Sequence, residues 1–339
     1  MYGLPLFRIR YVGGQVHSRV CLIVAASILL LAGCFPTPIT LRDTSVETAR
    51  PAQNADQYLA TLFTRLCWVA YSPTHFDPTV SPTRWPSEED VREDLRVLHG
   101  VGFDGLVTYS SGYANRDAPD QVLDIAGLAQ EAGFEGVIVG VWDPTDAQEL
   151  QAAEQASLYP VVVGYCVGNE GLDERYDLDT LVSAMDRLRR TTGKPVSTTE
   201  QVHDYYENSP LWTSSDWVFP NAHPYFSGYR DPREAVGWTE SVFETLDSVS
   251  DKPLIFKEVG LPSGGDADLS ETRQAEYYRL LGDTDVTYVV FEAFDAPWKH
   301  LGQPEPDGTY SQPDPEPHWG IFTSDRTPKE AATDICSIP

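Results

Sequence analysis

The regular alternation of apolar runs with amphipathic segments is the feature that most constrains the fold of this 339-residue chain. Each apolar run is typical of a strand buried on both faces, and helical spacing separates one run from the next. Eight such units in roughly 270 residues predict an α/β fold of the (β/α)8 or TIM barrel class, in a single domain. The predicted strands cover residues 67–73, 105–110, 136–144, 161–170, 196–201, 217–226, 253–263 and 287–298.

Several helical segments between these runs have recognisable ends. Pro86-Ser87 precedes a run of acids and predicts a helix that ends at Gly100, and a second helix is expected between Pro119 and Gly133. The segment after the fifth strand predicts only a weak helix, and residues 328–335 predict a last helix. A doubly wound open sheet is the competing fold, but no glycine-rich phosphate turn follows the first strand.

The first 33 residues have the pattern of a signal peptide. Arginines precede an apolar run of about 12 residues, which is too short to span a bilayer comfortably. The run ends in the sequence LAGC, which resembles the bacterial lipobox and makes Cys34 the expected lipidation site. Such a protein is exported and lipid-anchored, with the outer membrane or cell surface as the expected location and the folded domain periplasmic or extracellular.

The remaining chain is expected to form a flexible tether over residues 34–56 and the barrel domain over 57–339. Two cysteines, Cys67 and Cys336, lie near the two ends of that domain. In an exported protein they could pair, and the sequence leaves open whether they do. No CxxC spacing indicates a metal site, and nothing indicates an organic cofactor.

The chain is strongly acidic. Its formal net charge is −27, and loss of the three arginines in residues 1–33 would take it to −30. Nucleic acid and anionic membrane surfaces are therefore poor partners for the domain, and a neutral substrate is compatible with it. Membrane contact is expected only through the lipid anchor, and we expect a monomer.

Two glutamates at strand ends carry the predicted chemistry. Glu170 ends the fourth predicted strand and Glu258 lies in the seventh, nearly across the barrel. Reactive residues of such barrels lie at the carboxyl ends of the strands, so both carboxylates can reach one cavity. Two carboxyls that flank one bond are the arrangement of glycoside hydrolysis. Asn169, beside Glu170, can hold a sugar hydroxyl next to the reacting carbon.

The segments VGNE (167–170), KEVGLPS (257–263) and FEAFDAPWK (291–299) resemble the signatures of glycoside hydrolase family 17, the β-1,3-glucanases. The resemblance covers roughly residues 67–330. It implies a retaining (β/α)8 glycosidase with Glu170 as acid/base and Glu258 as nucleophile, acting on a β-glucan polysaccharide or oligosaccharide.

The substrate-binding residues expected from the strand ends and from the resemblance include Tyr225, which would orient the nucleophile, and Trp298, which would stack on a sugar face. The full set is Tyr71, Tyr109, Asn169, Glu200, Tyr225, Phe291, Glu292, Trp298 and Lys299.

Three positions depart from the family pattern. Leu261 stands where the family often has Trp, Ala296 where it commonly has an acid, and Val107 where the second strand often carries Arg. These positions shape the subsites, so linkage and mode of attack stay open.

Other interpretations of the same residues are less favoured. Lys257 could pair with Glu258, but neighbouring strand residues are expected to point to opposite faces. A hydrolase triad of His223 with Ser110 or Ser263 lacks the GxSxG turn. A zinc site of His203, His223 and His318 lacks the HExxH spacing.

Two functional alternatives stay open as well. Transglycosylation would use the same site, and a non-catalytic glycan-binding lipoprotein would have lost the chemistry.

Overall fold

The computed structural model describes residues 53–300 and 314–337. The predicted signal peptide, Cys34 and nearly all of the predicted tether lie outside these residues. A helix, α1, occupies Gln53–Arg65. Folded structure is therefore present four residues before the predicted domain boundary at 57. None of the described helices combines the length and the hydrophobicity needed to cross a membrane.

Most strands of the described residues form one curled parallel sheet. Seven strands hydrogen-bond in the order β7-β6-β5-β2-β1-β9-β8, and β3 and β4 form a separate antiparallel hairpin. The strand bounds are β1 Trp68–Tyr71, β2 Gly105–Thr108, β3 Ala114–Asn115, β4 Ala118–Val122, β5 Gly136–Val141, β6 Val162–Val167, β7 Val196–Thr198, β8 Phe256–Val259 and β9 Tyr288–Val290.

The sixth predicted strand is present only as a segment, residues 217–222, with isolated bridges at Val218 and Asn221. Asn221 forms parallel bridges with both Gln201 and Glu258, and Val218 forms one with Leu254. Pro220 has no amide hydrogen, which interrupts regular pairing at this point. The segment still links the β7 edge to the β8 edge, so the eight-unit prediction describes the closed barrel.

Helices follow most of the sheet strands, and α1 precedes the first. The remaining helix bounds are α2 Glu88–Gly100, α3 Ile125–Ala132, α4 Ala147–Ala156, α5 Leu178–Thr192, α6 Val202–Glu207, α7 Ser209–Ser214, α8 Pro232–Asp247 and α9 Glu271–Leu281. The start of α2 is as predicted, because Ser87 and Asp90 form a reciprocal capping box. The weak helix after β7 is a pair of short helices.

Two helix predictions are wrong in their extent. The segment after Pro119 continues a strand to Val122, and α3 begins only at Ile125, where Asp124 accepts a hydrogen bond from the Gly127 amide. The predicted closing helix is only a 3₁₀ turn at Glu330–Ala332.

The amino-terminal helix covers the bottom of the barrel. Leu59, Leu62 and Phe63 of α1 are buried. The Phe63 ring packs against Trp68 and Trp217, with centroids 6.1 and 5.9 Å apart. Trp68 begins β1 and Trp217 begins the bridged segment, so α1 covers the end of the sheet opposite the strand carboxyl termini.

A disulfide joins Cys67 to Cys336, with a Cα–Cα distance of 5.5 Å. The pairing that the sequence left open is therefore present. It fastens the residue before β1 to the carboxyl-terminal segment. Cys166, in β6, is buried and free.

Candidate active site

Glu170 lies three residues after the end of β6, where the chain turns into a loop. Its backbone has φ of 49°, a left-handed conformation that is uncommon for a residue with a side chain. Gly168, with φ of 76°, lets the Tyr176 hydroxyl pack directly against the backbone before Glu170, because a Cβ at position 168 would collide with that hydroxyl. The Glu170 amide donates to the Thr199 carbonyl at 3.0 Å, which fixes the turn against the strand end of β7.

The loop after Glu170 is anchored by Glu200. This carboxylate accepts from the Tyr176 hydroxyl at 2.7 Å and from the amides of Gly171 and Leu172 at 3.0 and 3.3 Å. Burial raises the pKa of Glu200 to about 7. The sequence predicts a substrate-binding acid here. Glu200 is instead fully buried, and its contacts hold the backbone that follows Glu170.

Glu258 lies in β8, and His223 stands between it and Glu170. Nε2 of His223 is 3.0 Å from Oε2 of Glu258 and 3.6 Å from Oε1 of Glu170. An oxygen from each glutamate and a nitrogen of His223 all lie within 4.8 Å of one another. This close approach of one oxygen from each carboxylate favours the short carboxyl spacing of retaining glycosidases.

The side chains of Glu170, His223 and Glu258, called the trio below, differ in their tendency to hold a proton. Burial lowers the pKa of His223, but its hydrogen bonds to Glu170 and Glu258 outweigh that effect and raise it to about 9. Burial raises the pKa of Glu258, but the Lys257 and His223 cations hold it far below its ordinary value. Against the same burial effect, His223 also lowers the pKa of Glu170. At neutral pH both carboxylates are therefore ionised, and the one titratable proton shared by the trio is on the imidazolium of His223.

The three atoms of this trio have a spacing that a metal ion could accept. The proton on His223 already joins the two carboxylates, so the arrangement is accounted for by the side chains themselves.

Lys257 pairs with Glu258, which corrects the expectation from strand alternation. Its Nζ donates to Oε1 of Glu258 and, at 2.8 Å, to Oδ1 of Asn169. The pairing of β8 with β9 shifts register between Phe256 and Val259. In this irregular stretch, neighbouring side chains need not alternate between faces.

Three amide side chains surround the acid/base candidate. Asn221 donates to Oε1 of Glu170 at 2.9 Å, and Gln201 donates to Oε2 at 3.2 Å. Oδ1 of Asn169 accepts from Lys257, from Thr199 at 3.0 Å and from Asn221 at 3.2 Å. With Oδ1 held by these donors, Nδ2 is the end of Asn169 that can meet a sugar hydroxyl.

Residues after β9 form another wall of the site. Lys299 makes a bidentate ion pair with the buried Glu292, at 2.9 and 2.8 Å. Its Nζ lies 5.2 Å from the ring centre of Phe291 and 5.6 Å from that of Trp298. The structure therefore places four predicted substrate-binding residues close together: Phe291, Glu292, Trp298 and Lys299. Lys299 also lies 5.9 Å from the Tyr109 ring.

The sugar-binding roles of Trp298 and Tyr109 stay predictions. Trp298 is partly exposed, as a stacking platform requires, and its edge packs on Phe76. The Tyr109 ring lies 3.5 Å from Nζ of Lys257. Burial and the negative charge of Glu258 raise the pKa of its hydroxyl.

Two predicted substrate-binding residues are placed elsewhere. Tyr71 is fully buried and donates to Asp94 at 2.9 Å, inside the wall between β1 and α2. Tyr225 donates to Asp266 at 3.0 Å, and the contact to the nucleophile candidate Glu258 comes from His223 instead. An alternating pattern would place residues 223 and 225 on one face, but the irregular bridged segment does not continue that far.

The two alternative sites are not assembled. Ser110 donates to Glu149, and Ser263 donates to the His318 carbonyl at 3.0 Å, so neither faces His223. His203 is exposed and lies beside Asp204.

Sequence reasoning missed the site roles of several residues. The sequence suggests only a triad or a zinc site for His223, and no local pattern distinguishes the amides that hold Glu170. Glu316 was also missed: burial raises its pKa to about 7, opposed by the cations Lys299 and His223. The missed residues are Lys257, Asn221, Gln201, Tyr176, His223 and Glu316.

The closed parallel barrel and the close pair of carboxylates at its carboxyl end together define the glycosidase class of TIM barrels. Comparison with known families agrees. Residues 69–320 match the BtgE/BtgC glycoside hydrolase domain, and the chain belongs to this family.

Curated relatives carry β-1,3-glucan names. A probable glucan endo-1,3-beta-glucosidase btgC of Aspergillus flavus is 27% identical over 251 residues, which cover 63% of this chain and 36% of that protein. A glucan 1,3-beta-glucosidase of Saccharomyces cerevisiae is 29% identical over 259 residues, covering 65% of this chain and 79% of the yeast protein. The chain thus spans little more than a third of the length of the btgC protein.

Solved structures confirm the fold. A glycoside hydrolase family 17 β-1,3-glucanosyltransferase from Rhizomucor miehei superposes with a TM-score of 0.61 at 20% identity, over 78% of this chain and 95% of that one. An endo-laminarinase from Formosa Hel1_33_131 gives 0.63 at 18% identity, over 81% and 87%. The predicted (β/α)8 class is therefore correct.

Proposed function

We propose that this protein is a retaining β-1,3-glucan hydrolase that acts on laminarin-like chains. The observation that carries the proposal is the pair of carboxylates, Glu170 and Glu258, which bring oxygens within 4.8 Å of each other beside Nε2 of His223. The names of the Aspergillus flavus and Saccharomyces cerevisiae relatives support the choice of substrate.

The reaction follows from the two positions. Glu258 is ionised and attacks the anomeric carbon, while Glu170 gives its proton to the departing glycosidic oxygen. The bond to the leaving sugar breaks as the glycosyl–Glu258 ester forms. Water then attacks the same carbon, Glu170 takes its proton, and Glu258 leaves as a carboxylate. The first product retains the anomeric configuration.

The proton for this step comes from the trio itself. In the free enzyme it is on His223, and transfer to Glu170 gives the reactive form without any change in the number of bound protons. Asn221 and Gln201 hold both oxygens of Glu170 at 2.9 and 3.2 Å and keep the carboxyl in place during this transfer.

Replacement of each glutamate tests the assignment. Glu170→Gln and Glu258→Gln should each lower kcat on laminarin by several orders of magnitude, because each removes a group that acts on the reacting bond. Glu174→Gln is the matched control, since Glu174 is exposed on the same loop. Near-native turnover in either active-site variant would contradict the assignment.

Azide rescue separates the two roles. With Glu258→Ala, azide should replace the nucleophile and give the α-glycosyl azide. With Glu170→Ala and an activated aryl glycoside, it should give the β-glycosyl azide. The same product anomer from both variants would contradict the role assignment. In the wild type, products longer than the substrate would identify glycosyl transfer, and binding without turnover would identify a glycan-binding protein.

We also propose that the protein is exported, lipid-anchored through Cys34 and monomeric. The LAGC sequence after an apolar run supports the anchor, and a disulfide in the folded domain supports an oxidising location. Labelling with radioactive palmitate in a bacterial host should mark the wild type and leave Cys34→Ala unlabelled. Equal labelling of both would refute the anchor, and light scattering on residues 53–339 would report the oligomeric state.

A further inference from the structure

We propose that Lys257 is a positioning residue that locks the nucleophile and the sugar-binding amide into one unit. The inference rests on the proposed function, because it assigns Glu258 the role of nucleophile. It adds a cation that neither the strand pattern nor the family resemblance assigned to the site.

The contacts of Lys257 join two strands across the barrel. Its ammonium group donates to Glu258 on its own strand and to Oδ1 of Asn169, next to Glu170, at 2.8 Å. The Tyr109 ring lies 3.5 Å from Nζ, within the range of a cation–π contact. A lysine that is only 1% exposed requires such partners, because an unpaired ammonium would not stay charged in the interior.

The strand geometry explains how consecutive residues reach one site. The Lys257 amide donates to the Pro220 carbonyl at 3.0 Å, and the Glu258 carbonyl accepts from the Ala222 amide at 2.9 Å. The two bonds to the bridged segment thus come from successive residues of β8. This irregular pairing, opposite a proline that cannot donate, turns the Lys257 side chain toward the same cavity as Glu258.

Lys257 supplies the site with a positive charge, whereas the second strand, β2, has the apolar Val107 at the position where the resembled family often has a cation. Val107 stands where the resembled family often has Arg, and Val107 is fully buried and apolar. The two oxygens of Glu258 are held by different cations, Oε1 by Lys257 and Oε2 by His223.

Other charged and titratable groups face this pair from the surrounding elements. Glu292 is neutralised by its bidentate partner Lys299. The groups that act electrostatically on Glu258 or Lys257 are Tyr109, Cys166, Glu170, His223, Glu292 and Lys299.

Two functional consequences follow from these contacts. The ammonium keeps Glu258 ionised in acid, which maintains the nucleophile. It also fixes Oδ1 of Asn169, so that Nδ2 points away from Lys257 and toward the space of the substrate hydroxyl. Loss of Lys257 should therefore alter both the pH profile and the contribution of the sugar 2-hydroxyl.

The experiment compares Lys257→Met, which keeps the length and removes the charge, with Lys257→Arg. Lys194→Met is the control for loss of a lysine charge, because Lys194 is partly buried and donates to the Val162 carbonyl at the opposite end of the barrel. Circular dichroism first establishes that each variant is folded. The substrates are an aryl β-laminaribioside and its 2-deoxy analogue.

Lys257→Met should lower kcat/KM by about 100-fold, comparable to the loss of one fixed donor at a reacting centre. The acid limb of its pH profile should move to higher pH by about 1–3 units, because the nucleophile has lost an adjacent positive charge. The preference for the 2-hydroxyl substrate over the 2-deoxy analogue should shrink. Lys257→Arg should restore the acid limb. An unchanged acid limb in Lys257→Met, or equal losses in Lys194→Met, would overturn the proposal.

A readout without turnover separates this proposal from the proposed function. NMR of ¹⁵N-histidine-labelled protein, with the His223 signal assigned through His223→Gln, gives the His223 pKa. Lys257→Met should raise that pKa by about one unit, since a like charge has been removed. If wild type cleaves no β-glucan, the proposed function fails, and this shift still decides whether Lys257 controls the charge of the pair. An unshifted His223 pKa would refute Lys257 on its own.

Discussion

A single histidine holds the proton that the two catalytic candidates must share. His223 lies 3.0 Å from Glu258 and 3.6 Å from Glu170, and its pKa of about 9 places the proton on the imidazole at neutral pH. A general acid usually has a raised pKa of its own. Glu170 does not, so its capacity to donate depends on this neighbour.

Replacement of His223 should therefore move the alkaline limb of the kcat/KM profile. In the wild type that limb should lie near pH 9, where the imidazolium of His223 loses the titratable proton of the trio. In His223→Gln the proton must be held by Glu170 alone, and the limb should move to lower pH by about 2 units or more. A profile unchanged from wild type would contradict proton sharing.

Thermal unfolding gives a second check with a defined sign. The folded-state pKa of His223 lies above its unfolded value of 6.5, so its protonated form stabilises the fold. The stability advantage of wild type over His223→Gln should be complete below pH 6.5 and should disappear as pH rises through about 9. Phe226→Leu offers a control, because it alters packing against His223 without removing a titratable group and should give no pH-dependent difference.

At this scale the sequence could predict the carboxylates but not their partners. Glu170 and Glu258 can be predicted because their positions at strand ends and the spacing of the βα units place them at one end of a barrel. Strand alternation predicts that Lys257 and Glu258 point to opposite faces, and the irregular pairing of β8 does not follow that alternation. The predicted sixth strand extends to residue 226, but its bridges end before His223. His223 therefore takes the position beside Glu258 that the sequence predicts for Tyr225.

Among the elements, the loop after β6 has the most direct effect on the site. Glu200 at the end of β7 holds this loop through Tyr176 and two amides. Glu170 retains a left-handed backbone there, which persists only where the surroundings determine it. The loop and β7 therefore act together as the support of the acid/base candidate.

Removal of one hydroxyl tests that support. Tyr176→Phe deletes the 2.7 Å bond to Glu200 and should lower kcat about tenfold, with little change in KM, because Glu170 is less well fixed. Tyr205→Phe is the control, since it deletes a buried 2.7 Å bond to the Thr198 carbonyl. Both variants should lose about 1–3 kcal/mol of stability. Equal kcat in the two variants would show that the loop does not position Glu170.

Element prediction succeeded where local signals were complete. The capping box at Ser87 marked α2, and apolar runs marked the seven regular strands. The sequence does not predict the β3–β4 hairpin, because Pro119 is also typical of a helix start. Its strand status depends on pairing with Ala114–Asn115, which no pattern within residues 118–122 reveals.

Across the whole molecule, the Cys67–Cys336 bond is the longest-range covalent link among the described residues, with a sequence separation of 269. Closing so long a loop restricts the unfolded chain, with a stabilisation of up to about 5 kcal/mol. The sequence could mark the two cysteines as candidates, but pairing depends on how the last segment returns to β1.

A double variant measures this contribution. Cys67→Ser/Cys336→Ser should lower Tm by about 10 °C, as expected for a domain of this size. Added reductant should lower the Tm of the wild type and leave that of the double variant unchanged. If both proteins unfold at the same temperature, the bond contributes nothing measurable.

The same bond also determines what happens when the backbone is cut. Residues 67–336 form a covalent ring, and a ring broken once is still one molecule. A single proteolytic cut anywhere inside it would leave both fragments joined and migrating together on a non-reducing gel. Whatever holds the chain upstream of residue 67 would thus retain every piece of a nicked domain until the bond itself is reduced.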